Sequence, residues 1–111
     1  MVSMRSLQDS MRKIYFHKDS KRGVEGTFEW LMEEVDELRE AIHRGNKEAL
    51  RSEFADVVAW LMSLANLLEV DLENALLSKY RECCPKCGSS PCGCAFRISP
   101  KKLGGSKALL T

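Results

Sequence analysis

Through the first 82 positions apolar residues recur at three- and four-residue steps, with no sustained alternation enriched in β-branched residues, so the pattern predicts helices and no strands. Met4, Leu7, Met11 and Ile14 place a first helix over residues 3–15. The polar run from His17 to Gly26 predicts a connection. Thr27 then offers an N-cap and Glu29 a favourable first-turn acid for a second helix, closed by Gly45. Its apolar arc comprises Phe28, Leu31, Met32, Val35, Leu38 and Ile42. A third helix is predicted from Asn46 to Leu68 or Glu69, with Leu50, Phe54, Val57, Leu61, Leu64 and Leu68 on one face beside Trp60 and Leu67. Asp71 is a good N-cap for a fourth, which would run to about Glu82 and stop at Pro85, the first proline of the chain.

Against this pattern, carboxylates at the apolar faces stand out. Glu34 lies at the edge of the second helix's arc and Glu37 one step beyond it. Glu53 falls inside the third helix's arc, between Trp60 and Leu64 in angle, and Asp56 sits at its rim. Members of each pair are three apart, so each pair projects from one side of its helix. If the helices lie side by side, four carboxylates converge, and they cannot all stay ionised without a cation. A hard divalent metal is the economical occupant. Glu33 and Glu40 drift toward solvent, and Glu33 is at most an auxiliary. Glu40 and His43 imitate half of a di-iron motif, but both face solvent on the wheel and no second copy exists.

Charge divides the chain. Residues 1–82 hold 12 Lys/Arg against 16 Asp/Glu, whereas residues 83–111 hold Lys86, Arg97, Lys101, Lys102 and Lys107 and no acid. All five cysteines fall between positions 83 and 94. The shift predicts a helical domain over 1–82 and a basic, cysteine-rich tail over 83–111. Cys84-Pro85-Lys86-Cys87-Gly88 reads as a zinc knuckle, and Cys92-Gly93-Cys94 could complete four thiolates for structural Zn²⁺ with Cys83 spare. A disulfide or a reduced, metal-free cluster are the other readings. From Ser99 to Ser106 the composition suggests a flexible end. No apolar run reaches the roughly 18 residues of a membrane span, and the N-terminus lacks a signal-peptide core, so a cytoplasmic location is expected.

Glu33-Glu34-x-x-Glu37, fifteen intervening residues, then Glu53-x-x-Asp56 resembles the signature of the MazG-like nucleotide pyrophosphohydrolases of the all-α NTP pyrophosphatase superfamily. Arg22-Gly23, the run Thr27 to Leu31, the run Ala55 to Leu61, and Val70-Asp71-Leu72-Glu73 followed by Ala75 and Lys79 agree, so the resemblance spans about residues 4–82. It implies cleavage of a nucleoside triphosphate between its α- and β-phosphates, releasing the monophosphate and pyrophosphate. It also implies Mg²⁺ on Glu34, Glu37, Glu53 and Asp56, and Lys79 as a phosphate-binding group; Lys18, Lys21 and Arg22 are further cationic candidates. Many relatives carry an Asn and basic residues shortly after that lysine, whereas here Arg81-Glu82 leads straight into Cys83.

The sequence therefore predicts an all-α, four-helix MazG-like bundle with a short cysteine-rich C-terminal tail. Because about 80 helical residues give a thin core, a homodimer or homotetramer is expected. The expected partner is a nucleotide, with neither a membrane nor a nucleic acid. The competing reading is a non-enzymatic, zinc-binding helical module that contacts nucleic acid or protein.

Overall fold

The computed structural model describes residues 2–100. Among them are three helices and no strand: α1 (Met4–Arg44), α2 (Lys47–Leu67) and α3 (Leu72–Lys79). The all-helical expectation holds, but the first connection does not exist as a loop. Residues 17–26 are helical, and inside α1 only Gly23 leaves helical geometry, at φ 90° and ψ 170°. Polarity was a poor guide there, because Lys and Arg are good helix formers. Gly23 supplies the break, since a side chain is strained in that conformation. The first two predicted helices are thus the two arms of α1. Thr27, expected to be a cap, lies fully buried within the second arm.

The ends follow local chemistry. Ser3 and Ser6 form a reciprocal capping box at the start of α1. Gly45 closes α1 in the left-handed region at φ 74°, its N–H donating to the Ala41 carbonyl. Asn46 Oδ1 accepts from the Ala49 amide at 3.1 Å to open α2, and Asp71 Oδ1 accepts from the Asn74 amide at 3.0 Å to open α3. The last helix ends at Lys79, short of the predicted Glu82.

Only Gly45 and Asn46 separate α1 from α2, so the two helices fold back on each other. The second arm of α1 lies along the N-terminal half of α2, and the first arm meets its C-terminal half. There Gln8 and Asn66, both buried, lock three elements together. Gln8 Nε2 donates to Asn66 Oδ1 and to the Val70 carbonyl, at 3.0 and 2.8 Å, while Gln8 Oε1 accepts from the Leu72 amide at 3.0 Å. Each polar atom buried in this junction has a partner, which is the condition for burying an amide cheaply. Arg5 adds ion pairs to Asp71 at 2.8 Å and Glu73 at 3.0 Å.

The buried apolar core of one chain is small: Leu31, Ala41, Met62 and Ala65. Much of the predicted core arc is exposed instead, including Phe28, Met32, Val35 and Ile42 on α1, Phe54 and Leu61 on α2, and Leu68 at its C-cap.

Two compact units divide the chain after Ser78. The second begins at Lys79, and its described residues beyond α3, 80–100, are turns, bends and irregular backbone, with the Cys84 amide donating to the Ser89 carbonyl at 2.9 Å and the Gly88 amide to the Cys84 carbonyl at 2.7 Å. The expected flexible end, with Lys101, Lys102 and Lys107, lies outside the described residues. Among the described residues no helix is long and apolar enough to cross a membrane.

Candidate functional site: a carboxylate cluster beside a cavity of mixed charge

Glu34 and Glu37 come from the second arm of α1 and Glu53 from α2. Each contributes an oxygen atom, and these atoms lie within 4.8 Å of one another. Glu34 and Glu53 are half-buried, and the Oε1 of each is fully buried without a hydrogen-bond donor. Burial raises the pKa of Glu34 above the usual carboxylate range, and the nearby charges of Glu37, Asp56 and Glu53 raise it further. A carboxylate oxygen buried without a donor is costly. Three converging hard oxygen donors, two of them unsatisfied, fit a divalent cation such as Mg²⁺.

Asp56 was predicted to be a fourth member. It stands outside the trio, although it is near enough to raise Glu34. It instead lines a cavity of ≈ 260 Å³ next to the cluster, with Tyr15, Lys18, Asp19, Arg22, Ala59, Trp60 and Ser63. Asp56 thus lines the cavity while acting electrostatically on the cluster. Glu33 is exposed and is not part of the trio.

Of the predicted cationic residues, Lys18 and Arg22 line the cavity, whereas Lys21 is exposed and does not. Arg22 is held from three directions. Its Nη1 donates to Asp19 Oδ1 at 2.8 Å and to Thr27 Oγ1 at 3.2 Å, and its guanidinium carbon lies 4.8 Å from the Trp60 ring centre. Trp60 in turn stacks on Trp30, with ring centres 5.9 Å apart and planes 18° off parallel. Gly26 makes this placement sterically possible: a Cβ there would come within 2.8 Å of Arg22 Cγ. Lys79 belongs to the second unit, where its ammonium lies 5.9 Å from the Tyr80 ring centre.

Asp19 is the residue that sequence reasoning missed. It is 2% exposed, lines the cavity, and leaves Oδ2 without a partner. Its spacing of three from Arg22 carried the signal, but only for a reader who took that stretch as helix.

The second unit brings together Cys84, Cys87, Cys92 and Cys94, one sulfur from each lying within 4.8 Å of the others. Cys83 is outside this group, and all five cysteines are free, so no disulfide is present among them. The Gly93 and Ser89 amides pull the Cys87 thiol down to about 6. Cys94, crowded by the Cys92, Cys87 and Cys84 sulfurs, is pushed up to about 12. The metal-free cluster thus favours thiolate at one sulfur and keeps a proton at another.

No curated protein matches the chain. The family profile described as the MazG nucleotide pyrophosphohydrolase domain matches residues 22–88. That stretch holds the second arm of α1, the carboxylate trio, Asp56, Arg22 and all of α2, but neither Cys92 nor Cys94. With its acidic cluster and adjoining cavity both inside the matched segment, apart from the Tyr15–Asp19 wall, the chain belongs to the MazG nucleotide pyrophosphohydrolase family.

Proposed function

We propose that the protein hydrolyses a nucleoside triphosphate to the monophosphate and pyrophosphate in a Mg²⁺-dependent reaction. The observation that carries this reading is the adjacency of a carboxylate trio, two of whose members have a buried oxygen without a donor, and a cavity that includes Lys18 and Arg22, within a chain of the MazG family. Family membership favours it over the non-enzymatic module.

Glu34, Glu37 and Glu53 would hold the divalent cation, with Asp56 at the cavity edge and Glu33 at the periphery. The ion would supply charge neutralisation of the phosphates and a more acidic water. The chain's own residues divide the remaining work. Lys18 and Arg22 offset phosphate charge from the cavity wall, and the Arg22 fork suits phosphate oxygens because Asp19 and Thr27 hold it in place. Lys21 and Lys79 are weaker candidates for the same task. Tyr15 and Trp60 present aromatic surface to the rest of the nucleotide. Asp56, at the boundary between cluster and cavity, would accept a hydrogen bond from a water and so orient it. The protein acts as a homo-oligomer, because the apolar stripes left exposed on α1 and α2 require cover.

Pyrophosphate release from a panel of ribo- and deoxyribonucleoside triphosphates, with and without Mg²⁺, tests the reading. Turnover that requires the metal and is lost in Glu37→Ala and Glu53→Ala is expected. Absence of turnover on every substrate, or full turnover in both variants, would sink it.

A further inference from the structure

We propose that Cys84, Cys87, Cys92 and Cys94 form a tetrahedral zinc site that holds the second unit together and is chemically separate from the carboxylate cluster.

Geometry is the first argument. With Zn–S near 2.3 Å, sulfurs at the corners of a tetrahedron are about 3.8 Å apart. Cys84 Sγ and Cys94 Sγ are 3.8 Å apart, and all four sulfurs fit within 4.8 Å of one another. Two sulfurs at this distance could be simple van der Waals neighbours. Four sulfurs gathered from two sequence pairs, with no disulfide among them, mark the corners of one coordination sphere.

The backbone supplies the second argument. Amide N–H groups donate to sulfur at three of the four positions: Lys86 to Cys84 at 3.4 Å, Gly93 to Cys87 at 3.2 Å and Cys94 to Cys92 at 3.3 Å. Such bonds disperse thiolate charge and fix the direction of the sulfur lone pairs, the outer support that metal ligands need. Gly88 sits at φ 75°, directly after Cys87, where a side chain would be strained. Four thiolates on Zn²⁺ leave a net charge of about −2; residues 83–100 offset it with Lys86 and Arg97 and contain no acid.

Burial is the third argument. Among residues 79–100 none is buried, and the large apolar residues Phe96 and Ile98 are 89% and 74% exposed. A segment this short with no apolar core needs another cross-link to keep one conformation. The sulfur cage is the feature placed to supply it, through metal binding coupled to folding. Cys84 and Cys87 fall inside the segment matched by the family profile and Cys92 and Cys94 beyond it. The site's four protein ligands leave no open position for catalysis.

Metal analysis of the full-length protein, expressed and purified under reducing conditions without added metal, tests the proposal by readouts independent of turnover. About one zinc per chain is expected. Cys83→Ser should keep it, whereas Cys87→Ser and Cys94→Ser should lower occupancy roughly tenfold or more after dialysis against a weak chelator. Should those variants fail to fold, Co²⁺ titration of the native chain decides, with tetrahedral d–d bands and thiolate-to-cobalt charge transfer saturating at one equivalent. Metal-free protein that takes up no cobalt, zinc lost equally in Cys83→Ser, or visible charge-transfer absorption from bound iron would overturn the assignment.

Discussion

Glu34 and Glu53 lie on different helices, yet they approach each other with their Oε1 atoms buried and without a hydrogen-bond donor between them. Such a pair makes stability depend on pH in a defined direction. Glu34 has a raised pKa in the folded state, so the folded chain holds that proton more tightly than the unfolded chain does. The associated stability is fully present below the unfolded carboxylate value and is lost as pH rises through the raised folded value. In EDTA the melting temperature should therefore fall between the acidic range and pH 8, and Glu34→Gln should flatten that fall. A divalent cation replaces the missing proton, so Mg²⁺ or Mn²⁺ should stabilise the protein more at pH 8 than at pH 5. Thermal melts at both pH values, with and without metal, check this; equal shifts at the two would count against the trio as ligands.

Arg22 depends on Gly26. Alanine at an interior helical glycine ordinarily adds about 1 kcal/mol of stability. Here the new methyl would come within 2.8 Å of Arg22 Cγ, the base of the side chain that reaches Asp19, Thr27 and Trp60. Gly26→Ala should thus gain little or no stability and should lower kcat/KM. Arg22→Ala would strip Asp19 Oδ1, on a side chain 2% exposed, of its ion-pair partner. Because Arg22 itself is 25% exposed, the loss should fall at or below the lower end of that for a buried pair, about 2–3 kcal/mol. Arg22→Lys keeps the charge without the fork and should fold better than Arg22→Ala while recovering only part of the activity. Urea melts and steady-state kinetics on the three variants separate the stability effect from the catalytic one.

How much of this was legible beforehand follows from where the signals sit. Glu53 was readable because a carboxylate among Trp60, Leu64 and Phe54 breaks a strong periodicity. Gly45, Asn46 and Asp71 were readable because caps are local chemistry. Residues 17–26 were misread because a polar face and a loop have similar composition, so Asp19 and its bond to Arg22 went unseen. Asp56 was placed by helical angle alone, which cannot say that it also lines a cavity beside the trio. The exposure of Phe28, Ile42 and Phe54 was beyond a wheel diagram, which identifies an apolar face without saying whether the same chain covers it.

Glu69 follows the last turn of α2 in the left-handed region, at φ 59°, where the Val70 amide donates to the Ala65 carbonyl at 2.9 Å. This helix ending favours glycine, because a side chain in that conformation costs about 1–2 kcal/mol. Glycine's larger entropy loss on folding takes back about 0.5–1 kcal/mol. Glu69→Gly should therefore stabilise the protein by about 0.5 kcal/mol without changing activity, since Glu69 lies outside both the carboxylate trio and the cavity lining. A chemical-denaturation midpoint that moves the other way would show that the acidic side chain itself contributes at this junction.

The exposed apolar residues are ordered, not scattered. Phe28, Val35 and Ile42 recur at seven-residue intervals along α1, and Phe54, Val58 and Leu61 follow helical spacing along α2. Ile42 is 56% exposed and Phe54 53%, while among the described residues the buried apolar core of one chain contains only Leu31, Ala41, Met62 and Ala65. Stripes of this kind on neighbouring helices need a partner surface, and a second copy carries the same stripes for a two-fold interface. Light scattering coupled to size exclusion should find a dimer or tetramer, with a melting temperature that rises with protein concentration. A charge in the middle of the stripe, as in Val58→Asp, should dissociate the assembly and lower stability, because a carboxylate cannot be buried there unpaired. Val58 is not among the residues lining the cavity, so activity lost on dissociation would mean that assembly supports the site. A native chain that stays monomeric at millimolar concentration, with a concentration-independent melt, would show that these stripes are covered by something other than a second copy.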